Sequence, residues 1–191
     1  MPKFARSATS SPASIEKGRS PLSDGGCGVK TLLVVYHSIT GGTEQMTRAL
    51  CAGAALEQGT TTRLAHATAA GPTDLLAADG LVFATPENLA AISGLMKDFF
   101  DRCYYPVLDR INGRPYAAMI CAGSDGQNAA RQIGRIAAGW RLRQVAEPLI
   151  VCTHAQTPEQ ILAPKNLSVT DLGRCRELGA AFASGLALGV F

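Results

Sequence analysis

The 191-residue chain has no C-x-x-C pair, no run of basic residues and a single tryptophan. Each shortage excludes a class of function. Its six cysteines, Cys27, Cys51, Cys103, Cys121, Cys152 and Cys175, stand far apart with no histidine at ligand spacing. Neither a metal site nor a disulfide framework is therefore expected. Several of them fall in apolar segments, where a thiol behaves as a small hydrophobe, and we read them as reduced thiols of a cytoplasmic protein. The net charge is +3, but lysines and arginines are scattered and have no aromatic residues interleaved with them, so no nucleic-acid partner is expected. The longest apolar run, Leu178 to Phe191, is broken by glycine and serine. It also falls short of the roughly 20 residues a membrane-spanning helix needs, so no membrane partner is expected.

What is present is the composition of one globular core, 47% hydrophobic and 17% charged. Residues 1–28 are rich in Ser, Gly, Pro and Ala, lack a hydrophobic period and end in Asp24-Gly-Gly-Cys-Gly28. They read as a disordered tail ahead of one domain over 29–191. From Lys30 onward, apolar β-branched runs alternate with helical patterns. The expected strands are 31–36, 61–65, 80–84, 115–122 and 144–151. The expected helices are 43–57, one around Leu75, 92–103, 127–139 and 171–188. Runs such as LLVVY and LIVC are apolar on both strand faces, which suits a parallel sheet covered by helices on each side. This is an α/β doubly wound sandwich, whose ligands bind beyond the carboxyl ends of the strands. Segments 37–43, 85–91 and 122–127 should gather there. The small residues Gly179, Ala183 and Ser184 suggest that the last helix lies close against the sheet.

The first of these segments, Ser38-Ile39-Thr40-Gly41-Gly42-Thr43, leaves a strand and opens a helix. Backbone N–H groups and the positive end of the helix dipole there favour an anion. Ser38, Thr40 and Thr43 add hydroxyl donors, and the two glycines let the backbone approach a ligand closely. The loop has no lysine and no G-x-G-x-x-G pattern, which argues against triphosphate and dinucleotide fingerprints and leaves a phosphomonoester. The plainer alternative is a helix N-terminus capped by Thr43.

S-x-T-G-x-T after a first strand resembles the phosphate loop of flavodoxin-like proteins. A second stretch is more specific. Thr85-Pro86-Glu87-Asn88-Leu89 leads through Ser93-Gly94 to Met96-Lys97 and Asp101-Arg102, and this resembles flavodoxin-like NAD(P)H-dependent FMN and quinone reductases. The resemblance spans about residues 30–191 and implies a five-stranded parallel sheet of order 2-1-3-4-5. It implies FMN as cofactor, with its phosphate on residues 38–43 and its ring beside Thr85, Pro86, Glu87, Asn88 and Leu89. Ala122, Gly123, Ser124, Asp125 and Gly126 would bring backbone N–H groups to the ring, with Ser124 or Asp125 also capping the following helix.

NADH or NADPH would be the reductant, and a quinone, a flavin or a similar small molecule the acceptor. Relatives are often homodimers or homotetramers. In the quinone-reductase branch the second loop carries an aromatic residue and a glycine where this chain has Asn88-Leu-Ala-Ala91. Two other readings remain open at this point: a flavodoxin-type electron carrier, and a flavin-free binding protein of the same fold. A pI near 8.6 speaks against the carrier, a class that is typically acidic. No protein acid or base is assigned a catalytic role, since His37 and His66 have no partner at a recognisable spacing, and His154, just after the fifth strand near the cofactor end, reads as a structural or exposed residue ahead of a substrate contact. Trp140 and Tyr104-Tyr105 are expected in packing or at an interface on the opposite rim.

Overall fold

The computed structural model describes residues 28–191. The expected tail, apart from Gly28, and Cys27 lie outside the described residues. Strands and helices alternate as β1 (Lys30–Tyr36), α1 (Gly42–Ala54), β2 (Thr60–His66), α2 (Pro72–Ala77), β3 (Gly80–Asn88), β4 (Ala91–Ile92) and α3 (Gly94–Val107). They continue as β5 (Pro115–Ala122), α4 (Gln127–Gly139), β6 (Arg143–Gln144), β7 (Leu149–Cys152), α5 (Pro158–Leu162) and α6 (Val169–Ala187).

The parallel sheet runs β2-β1-β3-β5, with β6 and β7 both on the outer side of β5. β6 and β7 are the two halves of one edge strand. Arg143 pairs with Pro115 and Leu149 with Met119, so the edge strand uses six residues where β5 uses four. The surplus bulges out before Pro148, which has no N–H for the ladder. The continuous strand expected over 144–151 is interrupted for that reason. Counted as one strand, the pair completes the expected five-stranded, doubly wound order.

The alternating residues of each strand feed two cores. Leu33, Val35, Leu81 and Phe83 face α2, α3 and α4, while Leu32, Val34, Val82 and Met119 face α1 and α6. All eight residues of β5 are buried, as a central strand covered on both faces requires. Trp140 is buried among Phe83 and Phe100. Tyr104 and Tyr105 stack on each other at the surface.

The last helix lies against the sheet as expected, with Ala183 fully buried beside Leu32 and Val82, and its glycines have a second purpose. A Cβ on Gly179 would stand 2.0 Å from the Leu50 carbonyl oxygen, and one on Gly53 would stand 1.9 Å from that of Arg176. Glycine thus brings the α6 backbone against α1. Contact with the sheet is made by Phe182 and Leu186 over Gly80 and by the Ala183 carbonyl, which accepts from Thr60 Oγ1 at 2.9 Å.

The second predicted loop is also more regular than expected. β3 continues past Ala84, turns at Leu89-Ala90 and returns as β4, pairing Glu87 with Ile92 and Asn88 with Ala91. The helix after it begins at Gly94 rather than at 92, with Ser93 as its N-cap.

Candidate functional site

β1 delivers the chain to the carboxyl rim of the sheet, where the His37 N–H donates to the Ala84 carbonyl at 3.0 Å and fixes where the first loop begins. Gly41 is the N-cap of α1 at φ 85°, a left-handed conformation that glycine adopts without strain, and no side chain caps the helix. The capping role considered for Thr43 is therefore not what its hydroxyl does. Thr43 is 1% exposed and its Oγ1 has no hydrogen-bond partner among the described residues. Ser38 Oγ is buried and unpartnered in the same way. Two orphaned hydroxyls at a helix N-terminus are costly unless an acceptor is brought to them.

Gly42 closes the turn from below. A Cβ there would lie 2.5 Å from Cys121 Sγ and 3.4 Å from Lys165 Cβ. Burial pushes the Cys121 thiol up to about 11, against a smaller opposing effect of Lys165, so the sulfur is an inert packing atom beneath the loop.

The second segment forms the hairpin wall. Thr85 is fully buried, and its Oγ1 donates to Pro86 O and accepts from the Ser93 N–H at 3.1 Å. That pins the base of the hairpin to the start of α3. Glu87 does not simply face the cavity, because its carboxylate accepts from Gly126 N at 2.8 Å and Ala129 N at 3.4 Å. It thereby caps α4 from across the rim and takes the place expected of Ser124 or Asp125, which are exposed. The N-cap residue itself is Gly126, at φ 82°. Gln132 accepts from Ile92 N, and Asn128 Nδ2 donates to Ala90 O. The hairpin is thus tied to α4 at three points.

A cavity of about 470 Å³ opens between these segments. Of the sixteen predicted residues, Ser38, Ile39, Thr40, Gly42, Thr43, Pro86, Glu87, Asn88, Leu89, Ala122 and Gly123 line it. Gly41, Thr85, Ser124, Asp125 and Gly126 do not; Gly41, Thr85 and Gly126 hold the wall in shape from behind.

Cys121, Thr153, Ala155, Ile161, Leu162 and Lys165 also line the cavity, though the sequence names none of them as a site residue. The last five come from the long 153–170 connection. Gln45 straps that connection to the first loop, donating to Gly41 O and Lys165 O and accepting from Leu167 N. Lys165 N donates to Thr40 O at 2.8 Å. Lys165 Nζ donates to the carbonyls of Gln160, Ile161 and Ala163, where it caps the C-terminal end of α5. The sequence signal for this role is the unusual length of the connection, with Pro158 and Pro164, which predicts a segment that either covers the cofactor edge or meets a second subunit.

His37 is 8% exposed, with Nδ1 unpartnered and its ring 5.5 Å from that of His66. Burial, and then the neighbouring His66, lower its pKa. His154 stays exposed at φ 55° beside a shallower outer depression. Among the described residues no group of His, Cys, Asp or Glu could hold a metal ion, and no helix is long and apolar enough to cross a membrane.

A family model for NADPH-dependent FMN reductase matches residues 43–156, more than half of the chain and all of the hairpin and α4. The chain belongs to that family. A flavodoxin from Aquifex aeolicus (strain VF5) is 36% identical over 95 residues, which are 50% of this chain and 51% of the relative. The match thus spans about half the length of that curated relative. Among solved structures, a WrbA-like flavodoxin from Agrobacterium tumefaciens superposes with a TM-score of 0.65 at 21% identity, over 83% of this chain and 98% of that one. The rubredoxin oxygen:oxidoreductase from Desulfovibrio gigas gives 0.69 at 15% identity, over 85% of this chain and 37% of that one. At these identities the structural likenesses show the fold, which is flavodoxin-like.

The family makes FMN the group to test against the site, and the residues present fit it. A phosphate would supply the acceptor that Ser38 Oγ and Thr43 Oγ1 lack. The glycine turn leaves room at a helix N-terminus for it. We describe the chain accordingly as an FMN-binding, flavodoxin-like protein.

Proposed function

We propose that the protein is an NAD(P)H-dependent oxidoreductase that uses FMN to pass electrons from the coenzyme to a quinone, a free flavin or a similar small acceptor. The observation that carries this reading over that of a carrier is the lining of the cavity. Beyond the phosphate loop it is built from Ile39, Pro86, Leu89, Ala122, Ile161 and Leu162, with no aromatic side chain among the described residues that line it. A planar ring held there would meet aliphatic groups, with no aromatic side chain among the lining residues to compete with a coenzyme ring for its face.

When bound, FMN supplies the redox chemistry, and the chain's own residues bind and orient it. Ser38, Thr40 and Thr43, with the α1 N-terminus, would hold the phosphate. The wall made by residues 86–89 and the backbone at Ala122 and Gly123 would border the ring. The strap over 153–165 would exclude water along one side. No side-chain acid or base is needed at the reacting atoms.

The carrier reading draws support from the Aquifex relative, whose name is flavodoxin. Purified protein reconstituted with FMN separates the two. Under the enzyme reading it oxidises NADPH or NADH with multiple turnovers when a quinone is supplied. Slow oxidation unaffected by the quinone would assign it to the carriers, and failure to bind FMN at all would remove both readings.

A further inference from the structure

We propose that the hairpin tip and the exposed face of α4 together form a docking surface for an acidic redox protein, seated beside the cofactor cavity. This rests on the redox reading above.

The first observation is charge. Between Asp125 and Glu147 the chain carries Arg131, Arg135, Arg141 and Arg143 and no acid. Those four positive charges exceed the +3 of the entire chain, so the remainder of the molecule does not share the excess. Elsewhere six of the ten described cations, Lys30, Arg48, Arg63, Lys97, Arg102 and Arg174, pair with a carboxylate, and Arg110, Arg114 and Lys165 donate to backbone carbonyls. On this face only Arg141 has a carboxylate partner, Asp109. Arg131, Arg135 and Arg143 are exposed and have no carboxylate partner among the described residues. Arg131 and Arg135 are one turn apart on the outer side of α4, about 6 Å along its axis.

The second observation is apolar. Leu89 is fully exposed at the tip of the hairpin and at the same time lines the cavity. Leu89 and Ala90 both hold positive φ, at 50° and 58°, where glycine or asparagine would sit without strain. The tip is continuous with the arginine face, since Asn128 Nδ2 donates to Ala90 O and Arg131 Nη2 donates to Asn128 Oδ1.

An apolar residue beside unmatched arginines is the make-up of a protein interface, where arginine and large apolar anchors are enriched. A lone phosphate needs donors that converge in a concavity. These guanidinium groups instead run along a convex helix toward the sheet edge, which suits an extended acidic surface. The lack of interleaved aromatics disfavours a nucleic acid. A partner seated there would cover Leu89 and lie against the wall of the cavity.

The FMN-loaded protein should bind an acidic [2Fe–2S] ferredoxin at 50 mM salt, and binding should weaken at least tenfold by 300 mM. The variant Arg131→Glu/Arg135→Glu should weaken it at least tenfold at low salt, and Leu89→Ser several-fold. FMN affinity, thermal melting and turnover with a small quinone should stay unchanged in the double variant. Basic cytochrome c, run as the control, should not bind.

The proposal is overturned if ferredoxin does not bind, or binds the double variant as well as the unaltered chain. It is also overturned if the double variant raises KM for NADPH but not for NADH, which would make these arginines a coenzyme site, or if duplex DNA or anionic vesicles bind through them and ferredoxin does not. Loss of FMN binding by the unaltered chain would refute the redox reading instead, and that measurement is separate.

Discussion

In a Gly42→Ala variant the new Cβ would stand 2.5 Å from Cys121 Sγ, about 0.9 Å inside ordinary contact. The backbone has no objection of its own, because Gly42 is a first-turn helical residue without a positive φ, and alanine is the better helix former. Any harm must therefore come from the sulfur beneath the loop. Overpacking of this kind costs roughly 1–3 kcal/mol, which in a domain of this size lowers the melting temperature by roughly 2–10 °C. If the loop moves to relieve the clash, Thr43 and the helix N–H groups leave their places. Losing one charge-assisted hydrogen bond, about 1.5–3 kcal/mol, then weakens FMN binding by roughly 10- to 100-fold. Adding Cys121→Ala removes the sulfur, and the double variant should regain FMN affinity to within a few-fold of the unaltered chain. Flavin fluorescence titration and a thermal melt read both effects. Unchanged binding and melting in Gly42→Ala would show that the sulfur does not hold the loop in place, as would a double variant that stays defective while Cys121→Ala alone binds normally.

Gly179→Ala drives a Cβ to 2.0 Å from the Leu50 carbonyl, where only backbone can yield. It should cost about 3 kcal/mol or more in denaturant unfolding, whereas alanine at Gly173, which meets nothing within 4 Å, should be neutral or stabilising. Leu89→Asn with Ala90→Gly places a favoured pair in the two-residue turn and should stabilise by about 1–2 kcal/mol, measured in the same way. His37 has its pKa lowered by burial and then by His66, so the folded protein resists protonation there while the unfolded chain does not. Stability is therefore lost as pH falls below the ordinary histidine value near 6.5 and levels off below the lowered folded value. His66→Ala should narrow that window, and a melt series from pH 8 to 5 checks it.

Much of this architecture was legible because it depends on chain-local patterns. The LLVVY and LIVC runs announce strands buried on both faces, and S-x-T-G-x-T announces a strand-to-helix turn. The place of residues 38–43 at the cavity followed too, since a strand end, two glycines and a helix start within six residues suffice to put the loop on the carboxyl rim. What sequence could not place were contacts between distant segments. Glu87 reads as a loop residue, yet it caps α4 from 39 positions away. Gln45 reads as an ordinary helix residue, yet it straps 165–167 onto the loop. The hairpin was hidden because Leu89-Ala90 has none of the asparagine or glycine that signals a two-residue turn. The split of the edge strand at Pro148 follows from a bulge whose register only the neighbour β5 defines.

We assign the FMN phosphate to the Ser38–Thr43 loop, and titration of the same apo-protein with FMN and with riboflavin checks that assignment. The two ligands share the ring and differ by the phosphate. The orphaned hydroxyls of Ser38 and Thr43 and the α1 N-terminus predict FMN binding at least about 100-fold tighter, with most of that margin lost in Ser38→Ala/Thr43→Val. Equal affinity for the two ligands, or a margin that survives the double variant, would mean that the loop does not hold the phosphate.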